Sequence, residues 1–175
     1  MKLIRIAAVV LLMVSALSAA KTLDMYVIDV EGSKAFLMVS PSGQSLLIDA
    51  GVPGDRDANR IVEACKAAGV KKIDYMVVSH YDGDHVGGVP ALAARMPIGT
   101  FVDHGENVQL NDFTIKNVKA YMDVVAKGEH MVVKAGDRIP IKGFDALVVM
   151  AAGKAIGTAA EGGGPAESRL RYDSA

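Results

Sequence analysis

Short apolar runs separated by turn residues follow the first twenty residues of the chain. Residues 23–30, 35–40 and 45–50 have the length and apolar content of strands, while residues 31–34 and 41–43 are rich in turn formers. Apolar residues in these segments are mostly consecutive and do not strictly alternate with polar ones. This pattern predicts an antiparallel meander of three strands that is buried on both faces.

Beyond residue 50 the apolar residues take the spacing of a helix. Either Asp55 or Asp57 is able to cap a helix that runs to about Ala68, and Gly69 would stop it. The single cysteine, Cys65, falls on the apolar face of this helix. A small buried hydrophobe is therefore a better interpretation of Cys65 than a nucleophile.

Strands and helices alternate through the rest of the chain. The predicted elements are a strand over 73–79, a helix from near 86 to 96–97, a strand over 99–103, a helix over 111–126, and short strands over 131–134, 138–141 and 146–150. Asn111 or Asp112 would cap the longer helix and Gly128 would end it. Strands followed by strand–helix alternation predict a mixed α/β domain, of α+β type, with helices over a sheet.

The two ends of the chain differ in composition from this domain. Residues 1–20 combine Lys2 and Arg5 with an apolar run of 12 residues and a small-residue end, which predicts a secretory signal peptide cleaved after Ala20. An uncleaved anchor is the alternative, although the run is shorter than the roughly 20 residues of a membrane span. Residues 151–175 predict a flexible tail, so the domain itself is expected over 21–150 and the mature protein in the periplasm or outside the cell.

Composition narrows the classes of function. The chain has 175 residues, 51% of them hydrophobic and 22% charged, which is enough for one domain with a real core. Cleavage of the signal peptide would lower the basic count from 19 to 17 against 20 acidic residues, a net charge of −3. Such a chain has no clear electrostatic patch for nucleic acid. A single cysteine also excludes an internal disulfide.

One hexapeptide concentrates side chains that bind metals. His80-Tyr81-Asp82-Gly83-Asp84-His85 follows the predicted strand over 73–79. Neutral imidazole nitrogens and carboxylate oxygens suit Zn²⁺, Mn²⁺ or Fe²⁺. A loop with glycine at its centre can turn these side chains onto a common point, and the glycine pair at 87–88 would let the next helix approach the strands closely. Asp-Gly-Asp is also a common turn, so a plain charged turn remains the alternative.

This cluster resembles a known family motif. The stretch Ser-His-Tyr-Asp-Gly-Asp-His-Val-Gly-Gly at 79–88 resembles the H-x-H-x-D-H motif of the metallo-β-lactamase superfamily, with Asp82 in place of the second histidine. That aspartate and the trailing glycines are similar to the DNA-uptake (competence-protein) branch, as are residues 27–30 and the strand-ending Asp-x-Gly within 46–51. The resemblance covers roughly residues 23–105. It implies an αββα sandwich, of which this chain would hold only the first half.

The resemblance also implies roles for individual residues. His80 and Asp82 would serve a first metal position, Asp84 and His85 a second, and Asp49 would hold the loop from behind. One or two Zn²⁺ ions are expected, with Mn²⁺ as an alternative because Asp82 supplies a harder oxygen ligand. A metal-activated water would attack an ester, phosphoester or amide, with Asp84 orienting that water and able to take its proton.

Family members complete this site with later ligands, including a bridging aspartate. Gly136-Asp137 superficially matches that aspartate but is predicted to be a turn, and His130 is predicted to be structural. His104 ends the strand over 99–103 at the same edge as the cluster, so it either lines the pocket or is only a polar strand end. The favoured hypothesis is an exported metal-dependent hydrolase acting on a small-molecule or phosphoester substrate.

Two other hypotheses stay open. One is a truncated or degenerate metal-binding relative without turnover, and the other is a periplasmic binding module with a purely structural cluster. The open sheet edges of half a sandwich would also favour self-association. No membrane span is expected once the signal peptide is removed.

Overall fold

A computed structural model describes residues 22–107 and 110–157 of the chain. The predicted signal peptide and most of the predicted tail lie outside these residues. The centre of the structure is one six-stranded sheet with its strands in chain order. They are β1 (Asp24–Val27), β2 (Phe36–Val39), β3 (Ser45–Ile48), β4 (Ile73–Val77), β5 (Ile98–Asp103) and β6 (Glu129–Val132). The first three strands pair antiparallel and the last four pair parallel, which confirms both the predicted meander and the mixed α/β class.

Four helices connect the parallel strands. They are α1 (Asp55–Ala67), α2 (Gly83–Val86), α3 (Val89–Ala93) and α4 (Asp112–Val125). Their apolar side chains form the main core with one face of the sheet. The fully buried members from helices and strands include Ile61, Val86, Val89, Leu92, Tyr121, Leu37, Leu47 and Met76. Within the described residues, no helix combines the length and apolar composition needed to cross a membrane.

The opposite face of the sheet is covered only in part. Leu46 and Val102 pack there against Val133, Ile139 and Ile141. This cover comes from the chain around a small sheet of β7 (Arg138–Ile139) and β8 (Ala146–Leu147). Pairing across all six strands aligns one apolar row on this face: Val27, Phe36, Ile48, Val77, Val102 and Met131.

The row is buried at Val102, half-buried at Ile48 and Val77, and exposed at the first strand of the sheet. Val27 is 86% exposed and Met25 is 62% exposed. The predicted burial of the meander on both faces is therefore wrong at β1, because none of the described segments packs over that edge. Whether an apolar strand is buried on its second face depends on a segment distant in sequence, and the residues of the strand do not specify that segment.

Several predicted element ends shift in the structure. Gly54 is the N-cap residue of α1, and the Asp57 carboxylate accepts instead the backbone N–H of Val52 at 2.9 Å. β7 and β8 are shorter than predicted, whereas β6 keeps its four residues and begins two residues earlier, at Glu129. Residues 150–155 form a further hairpin of β9 (Met150–Ala151) and β10 (Lys154–Ala155) at the start of the predicted tail. The predicted boundary at residue 150 otherwise stays a prediction.

The helix predicted from near Val86 begins earlier and has two parts. Asp82 is the extended N-cap residue of α2, and its carbonyl accepts the backbone N–H groups of His85 and Val86, each at 3.0 Å. The second half of the histidine–aspartate cluster is therefore helical. This turn fixes Asp84 and His85 next to each other at the end of the parallel strands.

The glycine pair lets this turn lie against the end of β3, as predicted. A Cβ on Gly88 would collide with the carbonyl of Ala50, and a Cβ on Gly87 would collide with Pro53. Backbone hydrogen bonds hold the contact, with Ala50 donating to the His85 carbonyl at 2.8 Å and Gly88 donating to the Gly51 carbonyl at 3.0 Å. Close packing of these two loops brings the cluster to Asp49.

Candidate metal centre

The candidate site lies at the carboxyl end of the parallel strands. Asp49 directly follows β3, the cluster from His80 to His85 follows β4, and Asp103 ends β5. Parallel strands end at the same edge of a sheet, and this edge is where open α/β sheets place their ligands. The topology therefore brings together residues that are separated by more than thirty positions in the sequence.

Asp49 is a buried acceptor at the centre of the site. Its Oδ1 accepts the backbone N–H of Ser79 at 2.8 Å, and its Oδ2 accepts the Ser79 hydroxyl at 2.7 Å. The same Oδ2 lies 2.8 Å from Nδ1 of His85. A carboxylate only accepts hydrogen bonds, so Nδ1 of His85 donates to Asp49 and Nε2 is the ring nitrogen that faces the rest of the cluster.

Ser79 orients the second imidazole in the same way. Its hydroxyl oxygen lies 3.0 Å from Nδ1 of His80. Because the Ser79 proton points to Asp49, this oxygen accepts the Nδ1 proton of His80. Both histidines therefore use Nδ1 as the donor and turn Nε2 to the carboxylates of the cluster. A neutral imidazole of this tautomer has its lone pair on Nε2, which is the form that binds a metal.

The four side chains of the cluster come together as two pairs. Nε2 of His80 lies 3.4 Å from Oδ2 of Asp82, and Nε2 of His85 lies 3.4 Å from Oδ2 of Asp84. The two imidazole rings are 3.8 Å apart between centroids. His85 is buried, whereas the side chains of Asp82 and Asp84 are 42% and 46% exposed. The family resemblance assigns the same two pairs to two metal positions, and that assignment stays a prediction.

This donor set fits a divalent cation in its chemistry and falls short of it in number. Each pair offers one imidazole nitrogen and one carboxylate oxygen, the ligand types that Zn²⁺ and Mn²⁺ accept. Within residues 22–107 and 110–157, no three histidine, cysteine, aspartate or glutamate side chains converge as a metal site would require. A catalytic zinc site has three protein ligands, so each pair is an incomplete half-site.

His104, at the same edge, lines a cavity. Its ring lies 4.9 Å from the ring of Tyr81 between centroids. Together with His80, it borders a cavity of about 790 Å³ on the partly covered face of the sheet. His104 thus lies in the wall of a cavity, and its role as a pocket residue of the site stays a prediction.

Asp103 is the residue at this edge that the sequence pattern did not identify. Its Oδ2 accepts the hydroxyl of Tyr121 at 2.8 Å and lies 2.8 Å from Nε2 of His130. Burial and the nearby Asp103 carboxylate raise the pKa of Tyr121, so its hydroxyl stays protonated and donates. His130 is accordingly structural, as predicted. The sequence did contain a signal for Asp103: like Asp49, it is an aspartate at the carboxyl end of a predicted strand.

Asp137 takes no part in the site. Its carboxylate accepts the backbone N–H of Lys134 at 2.8 Å and closes the turn before β7. The prediction of a turn at Gly136-Asp137 is confirmed. The local hydrogen bond also explains why an aspartate stands there.

A comparison with known protein families identifies the superfamily of the chain. The metallo-beta-lactamase superfamily matches residues 28–174. The chain belongs to that superfamily. The match continues well past residue 105, where the resemblance based on motifs ended, and it includes the segment that covers the second face of the sheet. The mixed α/β sheet is that of the superfamily, present here over part of the fold.

Individual relatives are distant and much longer. The ribonuclease Z of Alkaliphilus oremlandii is 29% identical over 89 residues, which cover 51% of this chain and 24% of that protein. Competence protein ComA of Neisseria gonorrhoeae is 35% identical over 68 residues, covering 39% of this chain and 10% of that protein, a weak and partial match to the competence branch. Among solved structures, a beta-lactamase from Chitinophaga pinensis is 18% identical to this chain, with a TM-score of 0.49. The aligned region covers 71% of this chain and 48% of the beta-lactamase chain.

Proposed function

We propose that this protein is an exported metal-dependent hydrolase of metallo-β-lactamase type that acts on an ester, phosphoester or amide. The observation that carries the proposal is the orientation of the two imidazoles. Asp49 and Ser79 accept the Nδ1 N–H groups of both rings, so the Nε2 lone pairs of the neutral imidazoles would lie beside a carboxylate, where a cation can bind. A structural histidine, such as His130, instead turns its Nε2 to a buried acceptor.

Each residue of the cluster has a role in this proposal. His80 and Asp82 would hold one divalent cation, and Asp84 and His85 would hold another, with Zn²⁺ preferred and Mn²⁺ as the alternative. A bound cation of this kind lowers the pKa of a water molecule and so supplies a nucleophile near neutral pH. Asp84 is half-exposed beside His85, where its free carboxylate oxygen can orient that water and accept its proton.

One observation favours a second candidate function, a metal-binding relative without turnover. The part of the chain that the structure describes contains two half-sites and no complete set of three ligands. Two donors bind a divalent cation weakly and leave its water poorly positioned. The two candidates differ in turnover, and both differ from a purely structural cluster in metal content.

The test compares metal content and turnover in the full chain with His85→Ala and His130→Ala as a matched pair. Each protein is loaded with Zn²⁺ or Mn²⁺, desalted, analysed for metal and assayed on bis-p-nitrophenyl phosphate, p-nitrophenyl acetate and nitrocefin. The hydrolase predicts activity that is lost with His85→Ala and retained with His130→Ala. Bound metal without turnover would support the second candidate. Less than about a tenth of a metal per chain, both after desalting and at equilibrium with free Zn²⁺ or Mn²⁺, would refute both candidates in favour of a purely structural cluster.

Export is a separate part of the proposal and has its own test. Mass spectrometry of the protein from periplasmic and medium fractions of an expressing bacterium measures its N-terminus. A mature chain that begins at Lys21 is expected. A full-length chain retained in the membrane fraction would instead establish the anchor.

A further inference from the structure

We propose that the substrate is a neutral ester or amide with a long alkyl chain, and that this chain binds in the cavity on the second face of the sheet. This inference rests on the proposed hydrolase function and names its substrate class. The cavity has a volume of about 790 Å³ and lies between the sheet and the segment that contains β7 to β9. Pockets for small organic ligands fall within about 300–1,000 Å³. Binding of the alkyl chain requires no metal, because apolar side chains form most of the walls.

The floor of this cavity is a continuous apolar surface on three neighbouring strands. Strand pairing places Met38 opposite Leu46 and Ile48 opposite Val77, so these four side chains lie next to one another on the second face. Phe144 lines the cavity from the segment that covers this face. Each CH₂ group of a ligand that leaves water for such an environment increases affinity by about two- to fourfold.

The rim of the cavity is apolar as well. Leu23 and Met150 belong to the lining and are 36% and 62% exposed. Large exposed apolar side chains that border a cavity are typical of a site that binds an apolar ligand. An alkyl chain therefore meets apolar side chains from the rim to the floor.

The charge of the lining favours a neutral ligand. Among the described residues that line the cavity, none is a lysine or an arginine, and the carboxylates are those of Asp103 and Asp145. Asp103 already accepts hydrogen bonds from Tyr121 and His130, and Asp145 is paired with Arg138 at 2.7 Å. An anion in the cavity would meet negative charge without a cation in the wall, whereas a neutral ester or amide would not be repelled.

The polar end of the cavity lies at the candidate metal centre. Ser79, His80 and His104 line the cavity where β4 and β5 end. Nε2 of His80 lies 3.4 Å from Oδ2 of Asp82, so the His80 imidazole borders both the cavity and the cluster. A ligand with its carbonyl group at this end and its alkyl chain along the floor would place the bond to be hydrolysed beside the cluster.

His104 differs from the other imidazoles at this edge in its hydrogen bonds. Its Nδ1 is buried and has no hydrogen-bond partner in the part of the chain that the structure describes, whereas Ser79 and Asp49 accept from Nδ1 of His80 and of His85. No described residue therefore fixes the tautomer of His104. The imidazole is able to donate to a ligand carbonyl or to accept from a ligand N–H, and such a bond would offset the cost of an unpaired polar group.

The other large cavity, on the helix side, is a poorer site for this substrate. It has a volume of about 830 Å³ and is lined by Asp82 and Asp84 but by neither His80 nor His85. A ligand in it would contact no imidazole of the cluster. Phe113 lies in its wall, so Phe113→Ala tests whether a ligand binds there instead.

The experiment measures binding of methyl ketones, which have the carbonyl group of an ester but no bond that can be hydrolysed. Equilibrium dialysis of the full chain, treated with a chelator, gives the affinity for pentyl, heptyl and nonyl methyl ketone. The affinity should increase about two- to fourfold for each added CH₂ group. Decanoate has the same alkyl chain as nonyl methyl ketone but carries a carboxylate, and it should bind at least about tenfold more weakly.

Two matched pairs of variants locate the site. Phe144→Ala should weaken binding of nonyl methyl ketone about three- to tenfold, and Phe113→Ala, in the other cavity, less than about twofold. Met38→Lys adds a cation to the floor and should reverse the preference in favour of decanoate. Met25 is the strand partner of Met38 but lies outside the lining, so Met25→Lys should leave the preference unchanged. The series of chain lengths uses the wild type and tests the inference independently of any variant.

The outcomes separate this inference from the proposed function. Affinity that does not change with chain length, decanoate that binds as tightly as the ketone, or equal effects of a variant and its control would each overturn the inference. Hydrolysis of p-nitrophenyl acetate by the metal-loaded protein together with any of those results would leave the hydrolase standing alone. The expected binding pattern without hydrolysis of any ester, p-nitrophenyl decanoate included, would refute the hydrolase and leave a binding site for alkyl chains.

Discussion

Replacing Asp49 with asparagine tests whether one buried carboxylate controls metal binding. Asp49 has a φ of 60°, in the left-handed region that asparagine and aspartate tolerate better than other side chains. The two side chains also have nearly the same shape. Asp49→Asn therefore changes the charge and one acceptor atom while leaving the backbone and the packing intact.

The structure indicates how large the effect should be. Asparagine can still accept the backbone N–H of Ser79 with its oxygen, but its amide then faces Nδ1 of His85, which is also a donor. The histidine must move its proton to Nε2 to pair with this amide, and it then has no lone pair for a metal. Loss of charge-assisted hydrogen bonds should lower the free energy of unfolding by about 2–3 kcal/mol. Loss of the orienting group should weaken metal binding about 10- to 100-fold, which corresponds to about 1.4–2.8 kcal/mol.

Asp103→Asn is the matched control. Asp103 is also buried at the end of a parallel strand, and it accepts hydrogen bonds from the backbone N–H of Gly105, from Tyr121 and from His130, each at 2.8 Å. Urea unfolding measures stability, and competition with a chromophoric chelator measures Zn²⁺ affinity. We expect both variants to lose stability and only Asp49→Asn to lose affinity, with Asp103→Asn within about threefold of the wild type. Equal losses of affinity in the two variants, or none in either, would refute the reasoning.

Three further predictions concern other parts of the fold. Gly88→Ala should lower the free energy of unfolding, measured in urea, by about 1–3 kcal/mol, because its Cβ would meet a backbone carbonyl. Gly157→Ala is the control, since a Cβ there would lie in open space, and it should leave stability unchanged. Equal losses of stability in the two variants would contradict the close approach at Gly88. Burial raises the pKa of the Cys65 thiol to about 11, so a chromogenic disulfide should label it at pH 8 only in denaturant. Burial disfavours the Asp57 carboxylate, but hydrogen bonds from Arg56 and the loop backbone lower its pKa overall. The free energy of unfolding that this carboxylate contributes above about pH 4 should therefore fall as the pH drops further. Asp57→Asn should flatten this pH profile.

Local sequence signals were sufficient for most elements of the fold. Apolar runs bounded by glycine and turn residues located β1 to β5, because strand formation there follows from neighbouring residues. The Asn111 cap and the stop at Gly69 were also readable, since a cap acts on the backbone within three residues. The cluster from His80 to His85 was identified in the same way, as four ligand-type side chains within six positions.

The sequence by itself therefore determined where most strands and the main helices lie along the chain, and which types of donor atom the candidate site contains. The tertiary structure decided which atoms of those side chains are available. Asp49 pairs with Nδ1 of His85 across 36 positions and fixes the Ser79 hydroxyl across 30 positions, and Asp103 removes His130 from the set of free donors. It also decided that β1 is exposed on one face and that α2 begins inside the cluster. Hydrogen bonds and packing between distant segments form only when the sheet assembles, and no pattern of neighbouring residues specifies them.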